Sequence, residues 1–560
     1  MKLKALTYQR LTSHVSRLTL LLILVAFSNS YAALYKEGEI IVKFKNNFSN
    51  QTLKSQAISK TLNIHVIKLP SNMKVEDALK KYKNDPNVEY AEPNYIIRKL
   101  KTTPNDPYYS SQWGLDKVLA NKVWDKCRGS DSTIVAVIDT GIDLRHLDLE
   151  NHIWKNPGET NCSDGADNDN NGFVDDCYGW NFVSNNKNTQ DDDGHGTHVA
   201  GIIGAITNNS EGVAGLNWYV KLMSVKILDS NGSGDIANLI KAIDYAVKNG
   251  AKIVNSSLGY PDSCNYVPPS QALYDAIKSA GDRGVLFVAA AGNYGCNNDK
   301  TPLWPASHKL PNIISVGASD QNDNLVDFSN YGQNTVHLLA PGVNIASTYF
   351  DKTNNKSTYK LESGTSMAAP FVSGAAALLM SCLNNATIYE IKERIVSSVD
   401  VFDSLSSITI SSGRLNIYSA LNNPLKPIRP TGLALALNNN NAILTWQDNS
   451  NIETGYIVER KSNNSNWTVI ARLEANTTSY TDNNLASMTY YYRVKAVYNT
   501  KESLYSNEAS ITVLNPPPTS SGGGGGCSMT AGTSPINLLY WLIVPVYVLL
   551  RKVSCRNIKI

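Results

Sequence analysis

The sequence predicts an α/β fold built on a doubly wound, mostly parallel sheet, with a small α+β region before it and a β-sandwich after it. Apolar runs typical of parallel strands buried on both faces recur through the middle of the chain: STIVAVID, VKLMSVKIL, AKIVNSSLG, GVLFVAAAGN, NIISVGAS and VHLLAPG. Helical patterns such as IANLIKAIDYAVKNG and QALYDAIKSAGDRG lie between them, and each ends in a glycine where a helix C-cap belongs. Strands and helices in this alternation predict a sheet covered on both faces.

Length and composition limit the remaining possibilities. A chain of 560 residues is too long for one ordinary core, so we expect several domains. Its hydrophobic content of 42% and charged content of 18% are typical of folded globular proteins. The formal net charge of +3 comes without a clustered basic face, and we therefore expect no nucleic-acid partner.

Residues 1–32 have the pattern of a secretory signal peptide. Basic residues precede an apolar run at 18–27, and the small-residue pattern Ser30-Tyr31-Ala32 follows it. An uncleaved membrane anchor is the alternative, but this run is too short to cross roughly 30 Å of hydrocarbon comfortably. We expect an exported protein, cleaved after Ala32, with oxidised cysteines.

Residues 34–103 predict a small mixed α+β domain. The strand GEIIVKFK is followed by a helix around Val75 to Tyr82 and by VEYAEPNYIIR, which alternates as a strand does. The glycine- and alanine-rich region that follows, at 105–422, carries the predicted parallel sheet.

The stretch AVIDTGID places Asp139 at the carboxyl end of the first strand of this sheet. An Asp-Thr-Gly can be half of an aspartic-protease dyad, a carboxylate that orients a catalytic histidine, or a strand end without chemistry. The dyad requires two such turns, and this chain offers one. In doubly wound sheets the active crevice lies beyond the carboxyl ends of the strands, so Asp139 is a candidate for the orienting role.

The stretch DDDGHGTHVAGIIGAI presents His195 at the start of a buried helix. The partial positive charge of a helix N-terminus disfavours imidazolium, which would keep the ring available as a base. His198, three residues later, is expected to pack inside. A zinc site at HGTH is excluded because helical zinc pairs usually lie four residues apart with a glutamate between them.

Two further stretches complete a hydrolytic set. In LESGTSMAAPFVSGAAALLM, we expect Pro370 to lie in the first turn of a helix, where proline is tolerated. Ser366 then lies at the N-terminus of this helix, and its backbone N–H is free to stabilise an oxyanion. The strand LFVAAAGN ends at Gly292 and Asn293, which places an amide donor at the same edge of the sheet. Alone, the serine could be a helix N-cap and the Gly-Asn pair a turn.

Together, VIDTGID, HGTHVAG, AAAGN and SGTSMAAP resemble, in content and in order, the motifs of the subtilisin-like (S8) serine peptidases. The resemblance implies a serine endopeptidase that acts on protein or peptide substrates. It makes Ser366 the nucleophile and His195 the general base and acid. Asp139 becomes the carboxylate that orients His195, and Asn293 the oxyanion donor.

The same resemblance implies a substrate-binding edge at NSSLG, where Ser257, Leu258 and Gly259 pair with an extended peptide. Ala290 and Gly292 belong to what we expect to be an open, apolar wall of the first subsite. That wall predicts a broad preference for large uncharged side chains.

Residues 34–103 resemble the inhibitor-like propeptide of this family. The resemblance implies that this domain assists folding and blocks the cleft until the enzyme removes it. The chain is therefore expected to be a zymogen inhibited by its own propeptide, with cleavage at a bond between Tyr95 and Asp106.

The insertion NCSDGADNDNNGFVDDC has the oxygen-rich pattern of a calcium loop. The candidate ligands are Asp167, Asp169, Asn171 and Asp175. Tyr178 stands where an EF-hand has its bidentate glutamate, and a polar surface insertion is the alternative. Because Cys162 and Cys177 bracket the loop, we favour a disulfide-closed loop that binds Ca²⁺ as a structural cofactor.

Four further cysteines lie in the central region. Cys264 and Cys296 flank the strand that ends before Asn293, and they are candidates for a second disulfide. Cys127 and Cys382 remain unassigned, because spacing alone does not determine connectivity.

The proline-rich linker PLKPIRPTG precedes short strands, at 427–515, with the spacing of a β-sandwich. This region resembles a fibronectin type III module. Alternation places Trp446, Tyr490, Tyr492 and Val494 in its core rather than on a sugar-binding surface. We expect the module to act as a spacer or as a binding domain and to have no catalytic activity.

The C-terminus predicts a tether. A Gly-rich spacer at 516–535 precedes an apolar segment at 536–550 and a basic tail at 551–560. This arrangement resembles the GlyGly-CTERM signal of Gram-negative bacteria, which a rhomboid-type sortase cleaves. It implies contact with sorting and secretion machinery at the membrane and a secreted or surface-attached product, tethered transiently or permanently.

The sequence thus predicts an exported serine endopeptidase. The alternative is a surface adhesion or binding protein that uses the fibronectin-like module and carries a catalytically vestigial peptidase fold. An intact set of Asp139, His195 and Ser366 argues against this alternative, because vestigial enzymes tend to lose at least one catalytic group.

Overall fold

The computed structural model describes residues 35–45, 55–96, 102–463 and 465–514. The predictions for the signal peptide (1–32), the Gly-rich spacer (516–535), the apolar segment (536–550) and the basic tail (551–560) lie outside the described residues.

The N-terminal region is a four-stranded antiparallel sheet with one helix. In space its strands follow the order β2-β3-β1-β4. The elements are β1 (Tyr35–Phe44), β2 (Ser55–Ser59), β3 (Ile64–Lys68), α1 (Val75–Lys83) and β4 (Val88–Tyr95). Alternate residues of β1 point inward, so that Ile40 and Val42 pack against Val75, Ala78 and Tyr82 of α1. This is the predicted α+β arrangement.

A nine-stranded sheet forms the centre of the molecule. Its spatial order is β14-β15-β11-β10-β9-β8-β5-β7-β6, and all neighbours are parallel except β14 and β15. The strands are β5 (Gly129–Asp139), β6 (Gly179–Asn181), β7 (Tyr219–Lys226), β8 (Ile253–Ser256), β9 (Leu286–Ala290), β10 (Ile313–Ser319), β11 (Leu338–Pro341), β14 (Asp400–Val401) and β15 (Gly413–Arg414). All six apolar runs that predict strands contribute to this sheet.

Helices cover both faces of the sheet. They are α2 (Trp113–Lys117), α3 (Ala120–Val123), α4 (His195–Gly204), α5 (Ile236–Lys248), α6 (Gln271–Asp282), α7 (Thr365–Cys382), α8 (Ile388–Ser397) and α9 (Ile417–Asn422). Successive side chains of β5 alternate between the faces. Val135 and Val137 belong to the core that contains α4 and α7, whereas Ala136 and Ile138 belong to the core that contains α5 and α6. The sheet is therefore doubly wound, as predicted.

Helix α7 is long and apolar enough to cross a membrane by composition, but most of it is buried in this core. Small residues allow the close approach: a Cβ added at Gly374 would lie 3.0 Å from Leu216 Cβ. Pro370 lies one turn deeper in the helix than predicted. The structure accommodates it because the carbonyl of Ser366, which would otherwise accept a helical N–H from position 370, accepts the hydroxyl of Ser257 at 2.9 Å.

The remaining strands are antiparallel. A hairpin joins β12 (Ile345–Asp351) to β13 (Lys356–Glu362). At the C-terminus, one sheet contains β16 (Thr431–Asn438), β17 (Asn441–Gln447) and β20 (Ser479–Asp482), and a second contains β18 (Gly455–Ser462), β19 (Thr468–Glu474), β21 (Thr489–Tyr498), β22 (Lys501–Glu502) and β23 (Ala509–Thr512). Residues from both sheets share one core, and the predicted core residues Trp446, Tyr490, Tyr492 and Val494 are all buried in it.

Candidate active site

Asp139 and His195 meet where β5 ends and α4 begins. Asp139 is fully buried, and its Oδ1 lies 2.7 Å from His195 Nδ1. Asp139 Oδ1 also accepts the N–H of Thr140 at 2.8 Å, which fixes the carboxylate on the imidazole side. A Cβ on Gly196 would overlap the carbonyl oxygen of Gly141, so only glycine lets the helix start this close to the strand end.

The electrostatic surroundings of His195 differ from the sequence-based expectation. Burial lowers the pKa of the imidazole, but the charge of Asp139 and its hydrogen bond outweigh burial and raise the pKa to about 9, with smaller contributions from Asp191 and Asp193. These nearby carboxylates favour the imidazolium, whereas the helix N-terminus alone is expected to disfavour it.

Asp191 is a buried residue that sequence reasoning missed. Its carboxylate accepts the N–H groups of Asp193, Gly194 and Thr197, each at 3.0 Å. It also accepts the hydroxyl of Thr140 at 2.9 Å. Asp191 therefore joins the start of α4 to the residue that follows Asp139. Its position just before α4 could have indicated this role, because acidic residues there often accept the unpaired N–H groups of the first helical turn.

Ser366 is the second residue of α7 and lies beside the predicted substrate edge. Its hydroxyl donates to the carbonyl oxygen of Ser257 at 3.2 Å. One cleft of about 800 Å³ is lined by His195, Ser366 and Asn293 together with the predicted substrate-binding residues Ser257, Leu258, Gly259, Ala290 and Gly292. Asp139 lies behind His195, out of contact with solvent.

Asn293 is oriented by Thr365. Its Oδ1 accepts both the backbone N–H of Thr365 at 2.8 Å and the Thr365 hydroxyl at 2.9 Å, which leaves its amide NH₂ as the free donor group. A Cβ added at Gly364 would lie 3.4 Å from Asn293 Nδ2 and 3.6 Å from Ser366 N. The missing side chain of Gly364 therefore leaves a space between two N–H donors, where a developing oxyanion could be held.

His198 packs inside, as expected. Its Nε2 donates to the carbonyl oxygens of Ile345 at 3.0 Å and Lys360 at 3.1 Å. Burial lowers its pKa to about 3, so the ring is neutral and its role is to hold the β12–β13 hairpin against α4.

The loop that was predicted to bind calcium has a different acidic centre. Glu159, Asp169 and Asp176 place carboxylate oxygens within 4.8 Å of one another. Of the four predicted ligands, only Asp169 belongs to this cluster. The two carboxylate oxygens of Asp167 accept the N–H groups of Asn171 and Gly172 at 3.0 and 2.8 Å and so shape the turn.

The contacts of Asp175 lie outside this cluster. Its carboxylate pairs with Lys187 Nζ at 2.8 Å and accepts the N–H of Gly165, so a cation already neutralises it. Asn171 lies next to the cluster. Its Nδ2 donates hydrogen bonds to the carboxylates of Asp169 and Asp176. Glu159 lies upstream of the recognised pattern, which is why the sequence did not indicate it.

Asp106 and Asp148 form a second buried acidic pair. Asp106 accepts the N–H of Asn208 at 2.8 Å, and Asp148 accepts the N–H of Val213 at 2.9 Å. Burial and, to a smaller extent, the charge of Asp106 raise the pKa of Asp148 to about 7. The raised pKa allows Asp148 to retain a proton near neutral pH. No motif in the sequence points to it.

The cysteines form three disulfides in the part of the chain that the structure describes. Cys162 pairs with Cys177 and Cys264 with Cys296, as predicted. Cys127 and Cys382, which were unassigned, pair with each other across a sequence separation of 255 residues.

Comparison with known proteins finds two matching families. Residues 130–425 match the model of the subtilase family, and residues 25–94 match that of the fervidolysin N-terminal prodomain.

Individual relatives match over long stretches. A thermophilic serine proteinase of Bacillus sp. (strain AK1) is 38% identical over 400 residues, which cover 69% of this chain and 88% of that protein. Thermitase of Thermoactinomyces vulgaris is 38% identical over 320 residues, which cover 57% of this chain and 99% of thermitase. A solved protease structure from Pseudoalteromonas arctica aligns with a TM-score of 0.48 at 28% identity, covering 57% of this chain and 99% of that one.

Proposed function

The chain belongs to the subtilase family and is a subtilisin-like serine endopeptidase, and we propose that Asp139, His195 and Ser366 form its catalytic triad with Asn293 as oxyanion donor. The observation that carries this assignment is the 2.7 Å contact between Asp139 and His195 at the cleft that also contains Ser366. The order Asp, His, Ser along the chain matches the order in subtilisin.

In the proposed reaction, the Ser366 hydroxyl rotates away from Ser257 O to donate to Nε2 of His195. His195 takes the proton as Ser366 Oγ attacks the peptide carbonyl carbon, and Asp139 stabilises the resulting imidazolium. The carbonyl oxygen becomes an oxyanion between Asn293 Nδ2 and Ser366 N. His195 then protonates the leaving amine, and a water molecule hydrolyses the acyl-enzyme by the same steps.

The substrate is proposed to bind as an extended peptide along Ser257, Leu258 and Gly259. These residues follow β8 directly, so their backbone groups continue beyond the paired part of the sheet and can bond to a peptide strand.

The prodomain match implies a zymogen that its own propeptide inhibits. We propose that the propeptide extends over 34–103 and that the mature enzyme removes it at a bond between Tyr95 and Asp106. Residues 97–101, within this interval, lie outside the described residues.

The flanking segments suggest an exported enzyme of a Gram-negative bacterium. We propose that 1–32 directs export and that 427–515 forms a fibronectin-like β-sandwich, supported by its two sheets with a shared core. The tail from 516 is proposed to engage membrane sorting machinery and to leave the enzyme at the surface or in the medium.

We also propose that Glu159, Asp169 and Asp176 hold a structural Ca²⁺. Carboxylate oxygens are the ligands that Ca²⁺ prefers, and three acids this close repel one another unless a cation or protons neutralise them. The Cys162–Cys177 disulfide closes the same loop and limits its freedom.

Self-processing tests the proposed triad. Purified precursor should lose its propeptide on incubation, whereas Ser366→Ala precursor should stay full length. If both remain intact, or if another enzyme processes both alike, autocatalysis is wrong. A mature chain that cleaves no peptide would favour the alternative of a binding protein with a vestigial peptidase fold.

A further inference from the structure

We propose that Leu303 fills the floor of the pocket that receives the side chain before the scissile bond, so that the enzyme cleaves after small residues such as alanine, serine and glycine. This inference rests on the proposed catalytic function. It reverses the expectation of a preference for large uncharged side chains. That expectation considered only the wall residues Ala290 and Gly292 and did not include Leu303, which lies between the two walls.

Two chain segments form the walls of this pocket. Strands β8 and β9 are parallel neighbours, and their last paired residues are Ser256 and Ala289. Beyond this pair the ladder ends, and the segments that contain Gly259 and Gly292 both line the cleft with Ser366. A substrate side chain that enters next to Ser366 must fit between them.

Leu303 occupies the space between these two glycines. A Cβ on Gly259 would overlap one methyl of Leu303, Cδ2, and a Cβ on Gly292 would lie 2.6 Å from the other methyl, Cδ1. The Leu303 side chain is only 4% exposed, yet it lines the cleft. One isobutyl group therefore spans the gap from wall to wall. A benzyl or isobutyl group of a substrate would need the same volume.

The neighbourhood of Leu303 resists displacement. Trp304 exchanges two backbone hydrogen bonds of 2.7 Å with Tyr260, which directly follows the first wall. The Cys264–Cys296 disulfide joins the segments that leave the two walls. These connections fix the backbone around Leu303, and its side chain is packed in a buried core, which accommodates added volume poorly.

Charge does not favour a basic side chain in this pocket. Among the described residues, the acids that line the cleft are Asp193 and Asp235, and neither belongs to the walls. Size is therefore the property by which the pocket selects.

Hydrolysis of matched peptide anilides tests the inference. Two substrates that differ only in alanine or phenylalanine before the scissile bond are compared by kcat/KM. The wild-type mature enzyme should favour the alanine substrate by about tenfold or more. One methylene group too many for a pocket already changes kcat/KM by about that factor. Leu303→Ala should shift the phenylalanine-to-alanine ratio upward by about tenfold or more.

Leu310→Ala is the matched control. Leu310 is 5% exposed and packs in the same core cluster, but it does not line the cleft among the described residues. It should leave the ratio unchanged. Because kcat/KM ratios do not depend on the amount of folded enzyme, partial loss of stability in either variant does not obscure the result.

A second measurement needs no variant: the wild-type enzyme digests a denatured protein, and the residue before each cleaved bond is identified. Enrichment of small residues supports the inference. A wild-type preference for phenylalanine, leucine or tyrosine, or an unchanged ratio in Leu303→Ala, would overturn it while the proposed peptidase function stands. Failure to cleave any peptide would overturn both.

Discussion

The imidazole of His195 lies close to several carboxylates, and their negative charge favours the protonated ring. Asp139 contacts it directly, and the charges of Asp191 and Asp193 act in the same direction. With a pKa of about 9, the ring of the free enzyme is charged at neutral pH. The contact with Asp139 thus orients the imidazole and also raises its pKa, so that the ring retains its proton at neutral pH.

This environment predicts an alkaline enzyme. The ring acts as a base only when neutral, so kcat/KM should rise with pH through a midpoint near 9 and level off above it. The stabilisation that the His195–Asp139 pair gives the fold has the opposite trend. Because the folded pKa is raised from 6.5, that stabilisation is fully present below 6.5 and is lost as pH rises through about 9.

The pH profile of Asp193→Asn checks the cause. Removing this charge should move the midpoint to lower pH. Both acids pair with a lysine, Asp193 with Lys352 at 3.0 Å and Asp192 with Lys226 at 2.7 Å, but only Asp193 is among the main groups that raise the pKa of His195. Asp192→Asn is therefore the control. A wild-type midpoint near the ordinary histidine value of about 6.5 would contradict the prediction.

At the scale of elements, periodicity predicted the strands and helices well. The six apolar runs became neighbouring strands, Asp139 ends β5 and His195 begins α4 as expected, whereas Asn293 lies three residues beyond the end of β9. Local patterns are sufficient there because burial on one or both faces dictates which residue types follow one another.

Contacts between distant segments could not be read in the same way. Asp191 bonds to Thr140, and Leu303 lies against both Gly259 and Gly292, although Thr140 and Gly259 come from other segments of the chain than their partners. Glu159 was missed for a related reason, because the acidic cluster draws on a residue outside the recognised loop pattern. Such contacts depend on how the elements pack, which periodicity does not encode.

The acidic cluster of Glu159, Asp169 and Asp176 carries the second prediction. In a Ser366→Ala background, which prevents self-digestion, chelation of Ca²⁺ should lower the melting midpoint. A site occupied at a hundred times its Kd contributes about 2.7 kcal/mol to the free energy of unfolding. Asp176→Asn should remove this part of the chelator response, and calorimetric titration with Ca²⁺ should detect one site fewer.

Asp175→Asn is the adjacent control. Asp175 has a φ of 57°, a conformation that asparagine also tolerates, and its charge faces Lys187 rather than the cluster. This variant should retain the full calcium response. Equal responses in the two variants would show that the three acids do not bind the ion.

At the scale of the whole molecule, the C-terminal sheets are fastened to the peptidase through Glu393 on α8. One oxygen of this buried carboxylate accepts the N–H of Ile428 in the linker at 2.7 Å. The other accepts the N–H of Asn451 at 2.7 Å and the hydroxyl of Ser450 at 3.1 Å. Burial raises the pKa of Glu393. One side chain therefore connects the peptidase, the linker and the C-terminal region.

Replacing Glu393 by glutamine should loosen this connection. An amide keeps one acceptor oxygen but presents an NH₂ group to a backbone N–H, which leaves a buried donor unpaired at a cost of about 1–3 kcal/mol. Hydrogen–deuterium exchange in the Ser366→Ala background measures the effect. Because every 1.4 kcal/mol corresponds to about tenfold, the amides of Ile428 and Asn451 should exchange roughly 5- to 150-fold faster.

Glu453→Gln distinguishes loss of this connection from general loss of stability. Glu453 is also buried, at 7% exposure against 0% for Glu393, but it accepts the N–H of Asn476 within the C-terminal region itself. Its substitution should speed exchange near Asn476 and leave Ile428 protected. If both variants, or neither, expose Ile428, the carboxylate of Glu393 does not hold the two parts together, and the apolar contacts of the linker must do so instead.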